Sequence, residues 1–304
     1  MELLQVAVWG IAVFTVLGML FGIALAATAR RFHVATNPVI DEVKDNLPAA
    51  NCGACGFGGC AAYAEHVVED GDVSPTLCTP GGQEIAITIG ELTGKKVGEI
   101  KEEVAMLRCA GIRSVAREQA TYVGIHTCAA AALSFGGPKA CKYGCLGLGD
   151  CQRVCAFDAI RMTDDGIVAI DEAKCTGCGL CVDACPKETL EMMPRHHRVL
   201  LSCTTRDKGK SVKSVCTVGC IQCQLCIKKC PAEAIYFDGE GVITVDHEAC
   251  TAYGPGCEQV CVTVCPTDII HAPGMLPDPD KKAKEKAAKA AAKKDAEERT
   301  GTDG

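Results

Sequence analysis

The chain opens with one long apolar run, and only short patterned segments follow it. Residues 3–29 contain no Asp, Glu, Lys, Arg, His or Pro, and a run of that length can span a bilayer as a tilted helix. Arg30 and Arg31 follow directly, whereas Glu2 is the one charged residue before the run. The positive-inside rule then predicts a single-pass protein of the cytoplasmic membrane, with its N-terminus outside and the remainder in the cytoplasm. A cleaved signal peptide is the alternative, but the run is too long and no basic residue precedes it.

Further along, one apolar pattern occurs twice. The stretches AIRMTDDGIVAI and AIYFDGEGVITV each place a Gly-containing turn between two short apolar runs, which predicts two β-hairpins. Cys155 and Cys230 stand at equivalent positions before the hairpins, and cysteine-rich loops flank both. The repeat predicts two similar modules, residues 138–194 and 215–272.

Composition narrows the chemistry of these loops. The chain has 24 cysteines in 304 residues and only 4% aromatic residues, so its cores are thin and need cross-links or metal. A reducing compartment disfavours disulfides, and metal is therefore expected. The net charge of −7 argues against nucleic acid as a partner.

Cysteine spacing identifies the metal group. The runs that begin at Cys175 and Cys220 match C-x2-C-x2-C-x3-C-P, the bacterial ferredoxin pattern, in which the fourth cysteine binds the neighbouring cluster. Zinc ribbons use C-x2-C pairs without this third and fourth cysteine. The runs at Cys141 and Cys250 have longer spacings. We therefore expect four [4Fe–4S] ligand sets: Cys141, Cys145, Cys151 with Cys185; Cys175, Cys178, Cys181 with Cys155; Cys220, Cys223, Cys226 with Cys265; and Cys250, Cys257, Cys261 with Cys230.

A fifth set lies upstream in a different spacing. Cys52, Cys55, Cys60 and Cys78 follow C-x2-C-x4-C-x17-C, with several glycines that let the backbone approach a cluster closely. A four-cysteine zinc site is the alternative. The neighbouring ferredoxin-type runs favour iron, so five [4Fe–4S] clusters are expected in all.

The expected fold class is α+β. A transmembrane helix (1–29) precedes a small helical four-cysteine domain (34–93), which has a helix after its third cysteine, and a helical linker region (94–137) with a charged amphipathic helix over 95–119. The two ferredoxin-like modules are joined by a basic linker (195–214). The Ala/Lys/Glu-rich residues 273–304 have no apolar stripe and predict an exposed helix or a disordered tail.

The N-terminal anchor, the CGACGFGGC motif and the paired ferredoxin modules together resemble the B subunit of the Rnf complex, in the long form with two modules. The resemblance implies a component of a membrane-bound, ion-translocating ferredoxin:NAD⁺ oxidoreductase. It implies electron entry from reduced ferredoxin, transfer to other Rnf subunits, and coupling to Na⁺ or H⁺ translocation. The chain has no G-x-G-x-x-G or Walker pattern, so NAD⁺ is expected on another chain and no catalytic residue is expected in this one.

Two rival functions are an iron–sulfur subunit of another membrane-bound hydrogenase or dehydrogenase, and a zinc-dependent interaction or nucleic-acid module. The low pI and few aromatic residues disfavour the last.

Two features remain. Four cysteines lie outside the five sets: Cys109, Cys128, Cys203 and Cys216. They are expected to be ordinary buried thiols. A sixth cluster would require them to converge, and Cys216 is close enough to Cys220 in sequence to replace it as a ligand. The basic segment 194–213 is expected to be a solvated linker, with a docking surface for an acidic ferredoxin as the alternative.

Overall fold

The computed structural model describes residues 2–32 and 37–273; the predicted tail lies beyond these ranges. Helix α1 covers Glu2–Arg31. Every residue from 11 to 31 is exposed, and Trp9 is 71% and Phe14 76% exposed. Within the described ranges it is the one helix long and apolar enough to cross a membrane. An exposed apolar helix of this length is consistent with the predicted membrane anchor.

The four-cysteine domain is a small helical unit. It consists of α2 (Pro38–Asn46), α3 (Cys60–Glu69) and α4 (Gly82–Thr93). Asn37 caps α2 by accepting the backbone N–H of Val39 at 3.1 Å. Val43, Tyr63 and Ile89 form its fully buried centre. The predicted helix after the third cysteine is confirmed as α3.

The first ferredoxin-like module contains one hairpin and one further strand pair, which joins the first and last strands of the module. Its elements are β1 (Glu103–Leu107), α5 (Cys128–Leu133), α6 (Asp150–Val154), β2 (Ile160–Met162), β3 (Val168–Ile170), α7 (Leu180–Asp183) and β4 (Leu190–Pro194). The predicted hairpin is confirmed, because β2 pairs with β3 in antiparallel register, Ile160 opposite Ile170. Strand β1 pairs with β4, from Glu103 opposite Pro194 to Leu107 opposite Leu190.

The prediction of a helix over 95–119 is wrong. Residues 103–107 form β1 instead, and all but its first residue are buried. The charged spacing around this segment suits a helix, but its short apolar run completes the sheet of the module by pairing with β4. Tertiary pairing here outweighs local propensity.

The second module repeats the first. Its elements are β5 (Leu200–Leu201), α8 (Gly209–Val215), α9 (Leu225–Lys229), β6 (Ile235–Phe237), β7 (Ile243–Val245), α10 (His247–Tyr253), α11 (Val260–Thr263) and β8 (Ile270–His271). The predicted hairpin is confirmed as the antiparallel pair β6–β7. Strands β5 and β8 pair as β1 and β4 do. In both modules the first strand therefore lies before the range that the sequence repeat predicted.

Arg108 joins the two modules. Its side chain is only 8% exposed, and Nη1 lies 2.5 Å from Glu191 of the first module. Nη2 donates to the carbonyl of Ile243 in the second module at 2.7 Å, and Nε donates to the carbonyl of Leu201. A buried guanidinium with acceptors in both modules fixes their relative position.

The basic segment between the modules is not a solvated linker in its first half. Arg195 donates to the carbonyls of Glu172 and Cys175 at 2.6 and 2.7 Å. Arg198 donates to the carbonyls of Cys250 and Gly254. These arginines are therefore fixed on the cysteine loops, whereas the lysines further along the segment are exposed.

Candidate iron–sulfur sites

All 24 cysteines lie in the described ranges, and all are free thiols. In those same ranges, no group of three or more His, Cys, Asp or Glu side chains is close enough to hold a single metal ion. A tetrahedral zinc site, with Zn–S bonds of about 2.3 Å, brings its four sulfurs to within about 4 Å of one another. Twenty of the thiols, all except Cys52, Cys55, Cys60 and Cys78, line cavities in groups of four, which suits a group of several atoms such as an iron–sulfur cubane.

Three predicted cysteine sets each line one cavity. The sets are Cys155, Cys175, Cys178 and Cys181; Cys220, Cys223, Cys226 and Cys265; and Cys230, Cys250, Cys257 and Cys261. In each set, three closely spaced cysteines come from one loop and the fourth comes from the other side of the hairpin. The structure therefore brings together the thiols that the crossed pairing of ferredoxin runs predicted.

The fourth set differs from the prediction. Its cavity is lined by Cys128, Cys145, Cys151 and Cys185, and Cys141 lines another cavity. Cys128 begins α5, where the Asp150 carboxylate accepts the backbone N–H groups of Cys128 at 2.8 Å and Ala129 at 2.9 Å. This contact holds Cys128 beside the Cys145–Cys151 loop, so Cys128 is not the isolated thiol expected from the sequence.

A gap in the cysteine run is the sequence signal that Cys128, and not Cys141, completes this set. Cys145 and Cys151 are separated by five residues, whereas Cys223 stands between the equivalent Cys220 and Cys226. The first module thus lacks a middle cysteine in its run, and Cys128 from the preceding segment supplies the missing thiol.

Three members of the upstream set, Cys55, Cys60 and Cys78, pack against the same buried core of the four-cysteine domain. Asn51 Oδ1 accepts the backbone N–H of Cys60 at 3.0 Å, which fixes the start of α3. Gly59 has φ of +145°, and a Cβ there would lie 2.9 Å from Asn51 Oδ1, so the loop requires glycine at this position. Burial first, and then the nearby Cys60, Cys55 and Cys52 thiols, raise the pKa of Cys78 to about 11.

The site environment combines burial with N–H donors. Burial raises the pKa of Cys145, Cys181 and Cys226 to about 12 in each case. These thiols stay protonated at neutral pH without metal, and binding iron must release the protons. The backbone N–H of Ala105 donates to Cys175 Sγ at 3.4 Å, a contact that stabilises a metal-bound thiolate and tunes its cluster.

Cys257 is the exception among these thiols. Burial acts to raise its pKa, but the backbone N–H of Gln259 and the Arg198 guanidinium together hold the pKa of Cys257 below its ordinary value. Arg198 Nη1 lies 3.5 Å from Cys257 Sγ. The cavity lined by Cys230, Cys250, Cys257 and Cys261 therefore has a cation against one of its thiols.

Comparison with family models agrees with this geometry. Residues 47–80 match a family described as a putative Fe-S cluster, and residues 140–195 and 219–269 match a 4Fe-4S dicluster domain. The fold and the cysteine-lined cavities thus define a multi-cluster iron–sulfur protein with [4Fe–4S] centres.

Curated relatives identify the family. The chain is 44% identical over 278 residues to the B subunit of the proton-translocating ferredoxin:NAD(+) oxidoreductase complex of Clostridium ljungdahlii, covering 91% of this chain and 96% of that protein. It is 40% identical over 260 residues to the B subunit of the Na(+)-translocating ferredoxin:NAD(+) oxidoreductase complex of Acetobacterium woodii, covering 86% and 76%. It is 42% identical over 267 residues to the B subunit of the ion-translocating oxidoreductase complex of Methanosarcina acetivorans, covering 88% and 98%. The chain belongs to this family, the B subunits of the Rnf complexes, and the resemblance seen in the sequence is confirmed.

Proposed function

We propose that this chain is the membrane-anchored electron-transfer subunit of an Rnf-type complex. It accepts electrons from reduced ferredoxin and passes them toward NAD⁺ in a reaction coupled to Na⁺ or H⁺ translocation. The observation that carries this proposal is the series of cavities lined by four cysteines each, on a chain of this family. [4Fe–4S] clusters bound there supply one-electron carriers. The proposed ligands are Cys52, Cys55, Cys60 and Cys78; Cys155, Cys175, Cys178 and Cys181; Cys128, Cys145, Cys151 and Cys185; Cys220, Cys223, Cys226 and Cys265; and Cys230, Cys250, Cys257 and Cys261.

The anchor is proposed to hold the cluster domains at the cytoplasmic face. Arg30 and Arg31 end α1, and basic residues at one end of a membrane helix favour the cytoplasmic side. The hydroxyls of Thr15 and Thr28 donate to backbone carbonyls of their own helix. Because α1 has no carboxylate or imidazole between residues 3 and 29 and these hydroxyls are already bonded, we assign the movement of Na⁺ or H⁺ to other subunits.

Electron entry is proposed at the exposed edge of the second module. Cys223 is the one exposed cysteine of the chain. Exposed Lys208 and Lys210 flank Gly209, whose backbone N–H donates to the carbonyl of Ile221 in the Cys220–Cys223 loop at 3.1 Å. Exposed Lys228 and Lys229 lie in α9, after the same loop. Lysines around the least covered ligand suit an acidic electron donor such as a ferredoxin.

The experiment is rapid mixing of the anaerobic full-length protein in detergent with reduced ferredoxin, following bleaching of the visible absorption. The variant Lys208→Glu/Lys210→Glu should slow bimolecular reduction at low salt by roughly tenfold and weaken its salt dependence. The charge-matched control Lys44→Glu/Lys96→Glu, on exposed lysines in and just after the four-cysteine domain, should react as the wild type does. Reduction that is absent in the wild type would refute the proposed function, and equal rates in both variants would refute this entry site.

A further inference from the structure

A fifth cavity lies where the two ferredoxin-like modules meet. It is lined by Cys109, Cys141, Cys203 and Cys216, and we call it the junction cavity. Its empty volume, including space open to solvent, is about 480 Å³, compared with about 310–360 Å³ for the four cavities described above. Its volume is therefore sufficient for a group of the size proposed for those four cavities, a [4Fe–4S] cluster.

The four thiols are two pairs of equivalent residues. Cys109 stands two residues after the end of β1, and Cys203 stands two residues after the end of β5. Cys141 and Cys216 each stand four residues before the first thiol of the neighbouring set, Cys145 or Cys220. Each module thus contributes the same two cysteines, and all four line one cavity.

Backbone donors repeat in the same way. The backbone N–H of Cys145 donates to Cys109 Sγ at 3.4 Å, and that of Cys220 donates to Cys203 Sγ at 3.4 Å. The backbone N–H of Gly111 also donates to Cys109 Sγ at 3.4 Å. The donors to Cys109 and Cys203 thus include a cysteine of the adjacent cavity in each module.

A buried cation lines the junction cavity. Lys139 is 4% exposed, and its Nζ donates to the carbonyl of Gly111 at 2.7 Å. None of the ion pairs formed by described residues includes Lys139. A buried ammonium is costly without an opposite charge nearby. Four thiolates around a [4Fe–4S] core carry a net negative charge and would supply it.

We propose that Cys109, Cys141, Cys203 and Cys216 hold a sixth [4Fe–4S] cluster at the junction of the two modules. The inference rests on the proposed function, since it assumes that the chain carries iron–sulfur clusters. The site takes up one electron and gives up one, with no bond formed or broken, and its donor and acceptor are the adjacent clusters. Electrons then pass between the modules through this site.

The test is metal analysis of the full-length protein purified anaerobically in detergent. Six clusters give about 24 iron and 24 sulfide per wild-type chain, and five give about 20 of each. Cys203→Ala and Cys109→Ala should each lower the iron count by about four, and native mass spectrometry should show the loss of one [4Fe–4S] unit. Val218→Ala, which changes an apolar side chain lining the same cavity, should leave the count unchanged.

The outcomes are distinct. A wild-type count of about 20 iron atoms without zinc, together with normal reduction by ferredoxin, overturns the sixth cluster and leaves the proposed function standing. With about 20 iron atoms and one zinc, Cys203→Ala decides: a drop to about 16 iron atoms places a cluster at the junction, and an unchanged iron count overturns it. A chain without iron overturns both. Where one cysteine variant does not fold, the other is measured, and in a zinc-free protein the wild-type count decides alone, with about 24 iron atoms supporting the proposal and about 20 overturning it.

Discussion

Removing the Asp150 carboxylate should detach Cys128 from its cluster site. Both oxygens of Asp150 accept N–H groups at the start of α5, and each hydrogen bond to a charged acceptor contributes about 1.5–3 kcal/mol. The Asp150 side chain is 14% exposed, so the lower end of that range applies. Two such bonds give about 3 kcal/mol, which is about 150-fold in the ratio of attached to detached loop. The ion pair with half-exposed Arg153 adds little.

The assay is electron paramagnetic resonance of the oxidised, anaerobically purified full-length protein. A [4Fe–4S] cluster that loses one cysteine ligand readily loses one iron, so Asp150→Ala should produce a [3Fe–4S] signal. Asp150→Asn keeps one acceptor oxygen and should lose about 1.5 kcal/mol, giving a weaker signal than Asp150→Ala. Asp183→Ala, at an exposed acidic residue of the same module, is the control. If oxidised Asp150→Ala shows no more [3Fe–4S] signal than the control, this role for Asp150 is refuted.

Three further predictions address the second module and the anchor. Arg198→Gln removes the cation at Cys257 Sγ and should lower the reduction potential of the cluster proposed at Cys257 in a redox titration, whereas Arg206→Gln, at an exposed arginine, should not. Equal potentials in the wild type and both variants would contradict this effect of Arg198. Burial lowers the pKa of His271, so the unfolded chain takes up a proton on this histidine at a higher pH than the folded chain does, and folding stability is lost as the pH falls below about 6.5. Cluster loss should therefore speed up between about pH 7.5 and 5.5, and His271→Gln should reduce this acceleration; an unchanged acceleration would count against the prediction. Replacing residues 3–29 by an unrelated apolar helix of equal length should leave dye reduction intact; loss of ion pumping with full assembly and full NAD⁺ reduction would defeat the assignment of ion movement to other subunits.

The sequence predicts those parts of the fold that depend on local spacing. The two hairpins follow from short apolar runs around a Gly-containing turn, and both are found. Three crossed cysteine sets follow from the cysteine runs, one of them from the longer-spaced run at Cys250, and the structure brings the thiols of each of these sets to one cavity. Local spacing is informative here because a ferredoxin-type run supplies three of the four thiols of a cubane from one short loop.

Contacts between distant segments could not be predicted in the same way. Cys128 reaches its site through a carboxylate on another helix, and β1 forms because β4 lies beside it. The thiols of the junction cavity come from both modules, so their convergence depends on how the modules pack. The sequence does contain a signal for them, because Cys109 and Cys203 follow equivalent strands, but that equivalence becomes visible only when β1 and β5 are known.

The Arg108 contact has a consequence for the kinetics of the chain. Domains within one chain ordinarily move relative to each other unless their interface is extensive, and here one buried guanidinium binds acceptors in both modules. Because the modules are held in one arrangement, the gap that an electron crosses between them is set by folding and not by diffusion of one module toward the other. Electron passage from one module to the other should therefore be insensitive to solvent viscosity, and any step that slows in glycerol belongs to the docking of partners.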